Sequence, residues 1–430
     1  MKNFFITAAI VAATASLALS CREDGTESPD SQSENMEIRL EDVAVLLSEL
    51  PIGGEQVAEV HDAVSSSTEN GYDEEYTMCD LFASPGAGVG DSHLAAQGTK
   101  SEGRSYSSPI KDMISDYLFS SGTKAGSQFN GLGGDISPDK YLETLKSSDV
   151  QIYWPYYENW DGKSHPVITF DPGDGSETNV GYRTVVTNDG GRRVEEVEVT
   201  EKMARETAVW VVNRNDDSRM TSLEMLRRQD PDWGTGGGEI IIGKRPAGMY
   251  GLRSADADAS GGVSSKAGND KFRTLIIKNF TAYRNYDSWF AGASEFFVRC
   301  GSVESFRAKT EDDLKLYKPS ITDFMIVVRR CQIGNPVKFN AVLVSEWTDQ
   351  LESCGFMITE DDGGTRDEWK CSAVGKLNSK SYGFEVSLPF YTRDDIVWRG
   401  QLAGKYFEKY NNVQGRFGDV GITFEIIETE

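Results

Sequence analysis

Residues 354–371 read CGFMITEDDGGTRDEWKC, and this stretch decides the fold class of the carboxy-terminal half. Asp362-Gly363 is a type I′ turn signal, and the runs on either side alternate apolar and polar residues at the period of a strand. A two-residue loop there sets Phe356 opposite Trp369, Ile358 opposite Asp367 and Cys354 opposite Cys371. Met357, Thr359, Arg366, Glu368 and Lys370 then share the more polar face, so apolar pattern and register agree. Alternation makes 354 with 371 a non-hydrogen-bonded pair, where side chains sit closest, and Cys354 with Cys371 is the expected disulfide.

Similar runs recur on both sides of the hairpin, at 274–282, 294–300, 324–330, 337–345, 384–388, 396–403 and 421–427. Short strands at this spacing predict a β-sandwich over 270–430. Upstream, 254–269 is Ser, Gly, Ala and Asp without a periodic apolar residue, the composition of a linker.

The region 36–253 mixes both periods. Leu40, Val43, Ala44, Leu46, Leu47 and Leu50 fall on one helical face that Pro51 ends, and Val57, Val60, His61 and Val64 line a second helix. Together they predict a helical hairpin, with His61 as a core histidine. Ser108-Pro109 starts another helix, 139–147 a further one, and 65–100 is expected to be loop. From Val150 the period becomes two, with strand-like runs at 151–157, 167–170, 180–187, 194–200, 209–213 and 239–243, and a hairpin signal at Asn188-Asp189-Gly190-Gly191. The expected class is therefore α+β: a helical hairpin with a small antiparallel β domain, then a β-sandwich.

Chemistry-bearing signals are sparse. The chain carries 68 acidic and 44 basic residues, a net charge of -24, which repels nucleic acid. Three histidines without ligand spacing argue against zinc, and no HExxH, GxSxG, P-loop or helix-opening GxGxxG is present. Residues 153–161, YWPYYENWD, are the densest aromatic cluster. Strand alternation would turn Trp154 and Tyr156 outward, with Trp160 beside them, as a ligand surface for sugar or peptide; the competing reading has these rings plugging the junction between helices and sheet.

Two acidic loops have the oxygen-rich composition calcium requires, 171–177 and 360–367. In the second, Asp361, Asp362 and Asp367 are the candidate ligands; the competing reading is that these are solvated turns. No other cofactor is expected. Glu158 and Asp161 are a pair of the kind glycosidases use, but such pairs arise easily among so many carboxylates.

The first residues give an address. Lys2, an apolar stretch from Phe4 to Leu19 and small residues before Cys21 make a secretory signal over 1–20. Leu17-Ala18-Leu19-Ser20-Cys21 resembles the lipobox of bacterial lipoproteins, with Ala18 where that family usually has Leu. The acidic stretch Arg22-Glu23-Asp24-Gly25-Thr26-Glu27 resembles the export signal of surface lipoproteins of Bacteroidota. The resemblance implies lipidation of Cys21, a flexible tether over 21–35 and an outer-membrane, cell-surface location. The expected role is non-enzymatic binding of a glycan or protein partner, with a carboxylate-based hydrolase and an adhesion or assembly component as alternatives. Among Cys79, Cys300, Cys331, Cys354 and Cys371, an odd number, at least one stays free.

Overall fold

The apolar stripe from Val43 to Leu47 forms helix α1 (Leu40–Glu49), and Gly53, whose N–H donates to Gln56 Oε1 at 2.9 Å, opens α2 (Gly54–Glu69). Both are as the apolar spacing predicts. In this computed structural model the described residues are 37–83, 106–120, 137–187, 190–215, 222–225 and 272–429. The signal segment, Cys21, the tether, the strand-like run 239–243 and the linker 254–269 lie outside them.

Two short elements follow the helical hairpin where loop was expected to dominate. Strand β1 (Glu75–Thr77) runs directly into α3 (Met78–Phe82), whose first turn is capped by Thr77 Oγ1 accepting from Asp80 N. Helix α4 (Ile110–Ser120) stands where Ser108-Pro109 places its start, and α5 (Pro138–Lys146) covers the expected 139–147, capped by Ser137 Oγ accepting from Lys140 N.

The first sheet comprises β1, β2 (Val150–Tyr153), β3 (Val167–Phe170), β4 (Thr178–Val186), β5 (Arg192–Thr200) and β6 (Val209–Arg214), in the order β1-β2-β6-β3-β4-β5. The hairpin signal at 188–191 is met by a tight β4–β5 pairing that closes on Val186 opposite Arg192. The sheet is mainly antiparallel, as expected, with one exception: β6 runs parallel to β3. The cause is α6 (Glu201–Glu206), which carries the chain back from β5 so that β6 enters beside β3 in the same direction. Helix α1 covers this sheet, and Thr184 Oγ1 donates to Ser48 O.

The carboxy-terminal region is two antiparallel sheets. One is β10 (Val337–Trp347), β7 (Phe272–Ala282), β16 (Val420–Thr429) and β15 (Gln414–Phe417), in that order. The other runs β13 (Lys380–Tyr391), β12 (Arg366–Leu377), β11 (Leu351–Glu360), β8 (Ser294–Ser302) and β9 (Ser320–Val328), with β14 (Asp395–Ala403) also on β11. Their inner faces share one core in which Phe280 meets Phe296 at 5.2 Å and Phe356 meets Phe424 at 5.7 Å. Each such ring withdrawn from water contributes roughly 1.5–3 kcal/mol. Helix α7 (Gly404–Lys409) closes one end by packing Phe407 on Trp347.

The hairpin from which the sandwich was inferred is built differently. Strands β11 and β12 pair only at their base, Leu351 with Gly375 and Ser353 with Val374. Beyond that, β14 takes the place beside β11 and puts Leu402 opposite Cys354, while β12 pairs along its length with β13 and puts Val386 opposite Cys371. Phe356 therefore faces Cys300 and Gly400 rather than Trp369, and the expected Cys354–Cys371 cross-strand pair is not formed. The reason lies in the loop. Gly363 and Gly364 both have positive φ, Asp361 Oδ1 accepts from Gly363 N, and Arg393 N donates to Gly363 O, so the loop is tied to the β13–β14 turn instead of closing a two-residue hairpin. The two-residue turn of this region is Asn378-Ser379, between β12 and β13, where both residues adopt positive φ.

Residues from Ile38 onward gather into one compact unit. Trp289 and Phe290, from the β7–β8 loop, are fully buried among Tyr153, Val167, Val209 and Val211 of the first sheet. Trp289 Nε1 donates to Glu177 O, Asn213 Nδ2 to Phe290 O, and Ala293 N to Asp73 Oδ2.

Candidate metal centre

The seam between the first sheet and the sandwich collects acidic side chains. The β7–β8 loop supplies Asp287, the start of β8 supplies Glu295 and the end of β11 supplies Glu360. One carboxylate oxygen from each lies within 4.8 Å of the other two. The register explains the convergence: Glu360 sits opposite Phe296, the neighbour of Glu295, and Asp361 N donates to Glu295 O at 3.1 Å. Glu295 is 3% exposed and Glu360 0%. Asp287 Oδ2 is closed off from solvent, and the Asp287 carboxyl interacts with that of Glu360.

Such a group cannot be fully ionised on its own. At 4.8 Å two unit charges repel by about 3.5 kcal/mol at an effective dielectric of ~20, and here three pairs would do so. Burial accordingly pushes Asp287 up to about 6; Asp362 and Asp73 add to the rise, while Glu360 and Arg330 oppose it. Arg330 is the nearby cation, but its Nη2 and Nε donate to the main-chain oxygens of Asp287 and Gly292, and its Nη1 lies 3.5 Å from Glu201. What remains is a set of hard oxygen donors without thiolate or imidazole, which suits calcium or magnesium rather than zinc or copper.

A second acidic group is already served. Glu74, Glu158 and Cys331 lie close together, yet Arg329 Nη1 stands 2.5 Å from Glu158 and 3.7 Å from Glu74. The guanidinium takes the position a metal ion would need. Glu74, 1% exposed, is still raised well above the carboxylate range by burial and by Asp73. Asp394 is a third case, raised to about 7 by burial and by Asp361 against the pull of Tyr391 N–H and Arg299.

The residues singled out in the sequence divide. Asp361 and Asp362 belong to the loop beside Glu360, and Asp362 acts on Asp287 through its charge. Asp367 does not join them: it is exposed on β12 opposite Phe390, and its Oδ1 accepts from Glu368 N. The loop 171–177 is a turn device, with Asp171 Oδ1 accepting from Gly173 N and Asp174 Oδ1 from Ser176 N, and with Gly173 and Gly175 at positive φ. Asp287 and Glu295 were not read from the sequence. The signal for Glu295 was there, a carboxylate embedded in the apolar run Phe296-Phe297-Val298.

The expected ligand surface is overturned. Trp154 is 1% exposed and Tyr156 8%. Strand β2 ends at Tyr153, and Tyr156 takes a left-handed backbone with φ 59° and ψ 29°, so the alternation that would turn alternate rings outward stops. Trp154 packs against His61, Trp160 and Trp210, Tyr156 donates to Glu201 Oε1, and half-buried Trp160 donates to Ser164 O. The rings fill the junction instead.

Among the described residues no helix is long and apolar enough to cross a membrane. No family model, no curated protein and no solved structure matches the chain.

Proposed function

We propose that the chain is a lipid-anchored cell-surface protein that binds a partner without transforming it, and that its seam carries a calcium ion held by Asp287, Glu295 and Glu360. The observation that carries the metal part is the convergence of these three carboxylates, two of them withdrawn from water. Buried carboxylates at this spacing need a shared proton or a cation, and outside the cell calcium is the cation at hand. The anchor rests on the lipobox-like end at Cys21 and the acidic tether.

Between a glycan and a protein as partner, the observations favour a protein. The aromatic platform that a sugar would stack on is in the core. Strand β13, twelve residues long, has β12 on one side and is the edge of its sheet among the described residues, and an extended segment can add to such an edge. The hydrolase reading loses ground because Glu158 is engaged by Arg329 and Asp161 by the backbone of Lys163 and Ser164.

Calcium titration of the unlipidated body, followed by calorimetry, tests the metal. A single site with a dissociation constant on the order of 10⁻⁴–10⁻³ M is expected, as in extracellular modules, and Glu360→Gln should abolish it. Heat no larger than that of dilution, for the unsubstituted protein, sinks the reading. Intact mass of protein from its native membrane, with protease shaving of whole cells, tests the anchor; an unacylated soluble chain rejects it.

A further inference from the structure

We propose that Cys300 and Cys354 are joined by a disulfide in the exported protein, a bond that ties β8 to β11 inside the sandwich. The pairing differs from the one the hairpin reading suggested, and it follows from the register. Gly355 stands opposite Gly301, so Cys354 and Cys300, each one residue before, lie diagonally across the two strands. Cys300 is opposite Phe356, which with Cys354 lies on the inner face, and both cysteines are fully buried in the shared core. Diagonal neighbours in a flat sheet are about 7–8 Å apart at Cα, at the outer limit for a disulfide. The right-handed twist of a strand pair shortens one such diagonal, and the two thiols interact across it.

Cys371 is the competitor and the weaker one. It belongs to β12 and its sulfur lies over Gly355, on the face of β11 turned away from Cys354, whereas Cys300 and Cys354 share the inner face. Cys79 and Cys331 are both exposed, away from this core, and remain thiols.

The chemistry is a thiol–disulfide exchange with an envelope dithiol oxidase. The Cys354 thiolate attacks the oxidase disulfide, and one oxidase sulfur leaves. The Cys300 thiolate then displaces the second, forming the S–S bond. The two thiols give up two protons and two electrons, and the oxidase ends as a dithiol. The neighbouring Cys354 thiol and then burial push the Cys300 thiol well above its ordinary range, so exchange precedes the closing of the sandwich rather than following it.

The inference rests on the export reading, and one experiment separates the two. Full-length protein is recovered from its native envelope, alkylated under denaturing conditions without reductant, digested and mapped by mass. The expected result is a Cys300–Cys354 linked peptide, two hydrogen atoms lighter than the separate pieces, with Cys79, Cys331 and Cys371 alkylated. Alkylation of both Cys300 and Cys354, or a Cys354–Cys371 link, overturns the inference. The mass of the amino-terminal peptide in the same digest reports on Cys21: acylated Cys21 beside free thiols leaves export standing, and unprocessed chain rejects export too. Refolding the body in a glutathione redox buffer gives a second readout that does not depend on address. Reductant should lower the melting temperature of the oxidised protein and of Cys371→Ser alike; a melting temperature indifferent to reductant overturns the inference.

Discussion

Gly301 and Gly355 face each other across β8 and β11, and neither can carry a side chain, because the paired residues Val386 and Cys371 of the β12–β13 ribbon occupy the space above them. A Cβ on Gly355 would collide with Cys371 Sγ, and one on Gly301 with Val386 Cγ1. The ribbon is thus seated on a glycine floor, and β14 takes the edge of β11 that the ribbon leaves open.

Gly355→Ala should therefore destabilise the protein by roughly 1–3 kcal/mol, the usual cost of overpacking. Adding Cys371→Ala removes the sulfur it would strike and should restore much of the loss. Urea unfolding of the two variants measures this; equal stability of Gly355→Ala and the parent would mean the ribbon is not seated there.

Trp154→Ala should cost about 3–5 kcal/mol, because a buried indole leaves a cavity among His61, Trp160 and Trp210. Thermal or urea unfolding reads the loss directly. A variant as stable as the parent that had instead lost affinity for a glycan would restore the ligand-surface reading.

Helices and strands were legible because apolar spacing is a local property. Val43 to Leu47 and the alternation around Phe356 mark their elements whatever surrounds them. Neighbour choice was not. Asp362-Gly363 announces a change of direction, yet which strand lies beside β11 depends on β14, more than thirty residues on, competing for the same edge. The seam was legible only in the acidic run that Glu360 opens. Asp361 and Asp362 follow Glu360 in that run without entering the cluster, and Asp287 and Glu295 join Glu360 only through the folded register. The aromatic stretch misled because one left-handed residue, Tyr156, ends the alternation, and nothing in a Tyr-Tyr pair signals it.

Arg329 bridges Glu158 and the buried Glu74. Arg329→Ala would leave Glu74 withdrawn from water without its counter-charge, a loss of about 3–5 kcal/mol. Since Glu74 can take up a proton, the loss should shrink as the pH is lowered, and Arg329→Met with Glu74→Gln should recover most of it. Equilibrium unfolding at two pH values checks both; an Arg329→Ala penalty independent of pH would show that Glu74 is not the group exposed to the change.

At the proposed site, calcium and protons would compete for the same carboxylates. Asp287, raised to about 6, holds its proton more tightly when folded than unfolded. Its contribution is thus fully present below the ordinary carboxylate range, near pH 4, and is lost as the pH rises through about 6. Asp394, Glu59 and Asp80, each raised to about 7, push in the same direction, so without calcium stability should decline from about pH 4 to about pH 7. Calcium at the proposed site would act oppositely, because it would bind the ionised carboxylates that protonation removes. At tenfold its dissociation constant it should add about 1.4 kcal/mol at neutral pH and nearly nothing at pH 5. Melting curves in calcium and in chelator across this range separate the contributions: Asp287→Asn should remove the calcium-dependent rise and leave the slope from Glu59 and Asp80. A calcium effect as large at pH 5 as at pH 7.5 would place the ion on groups other than these carboxylates.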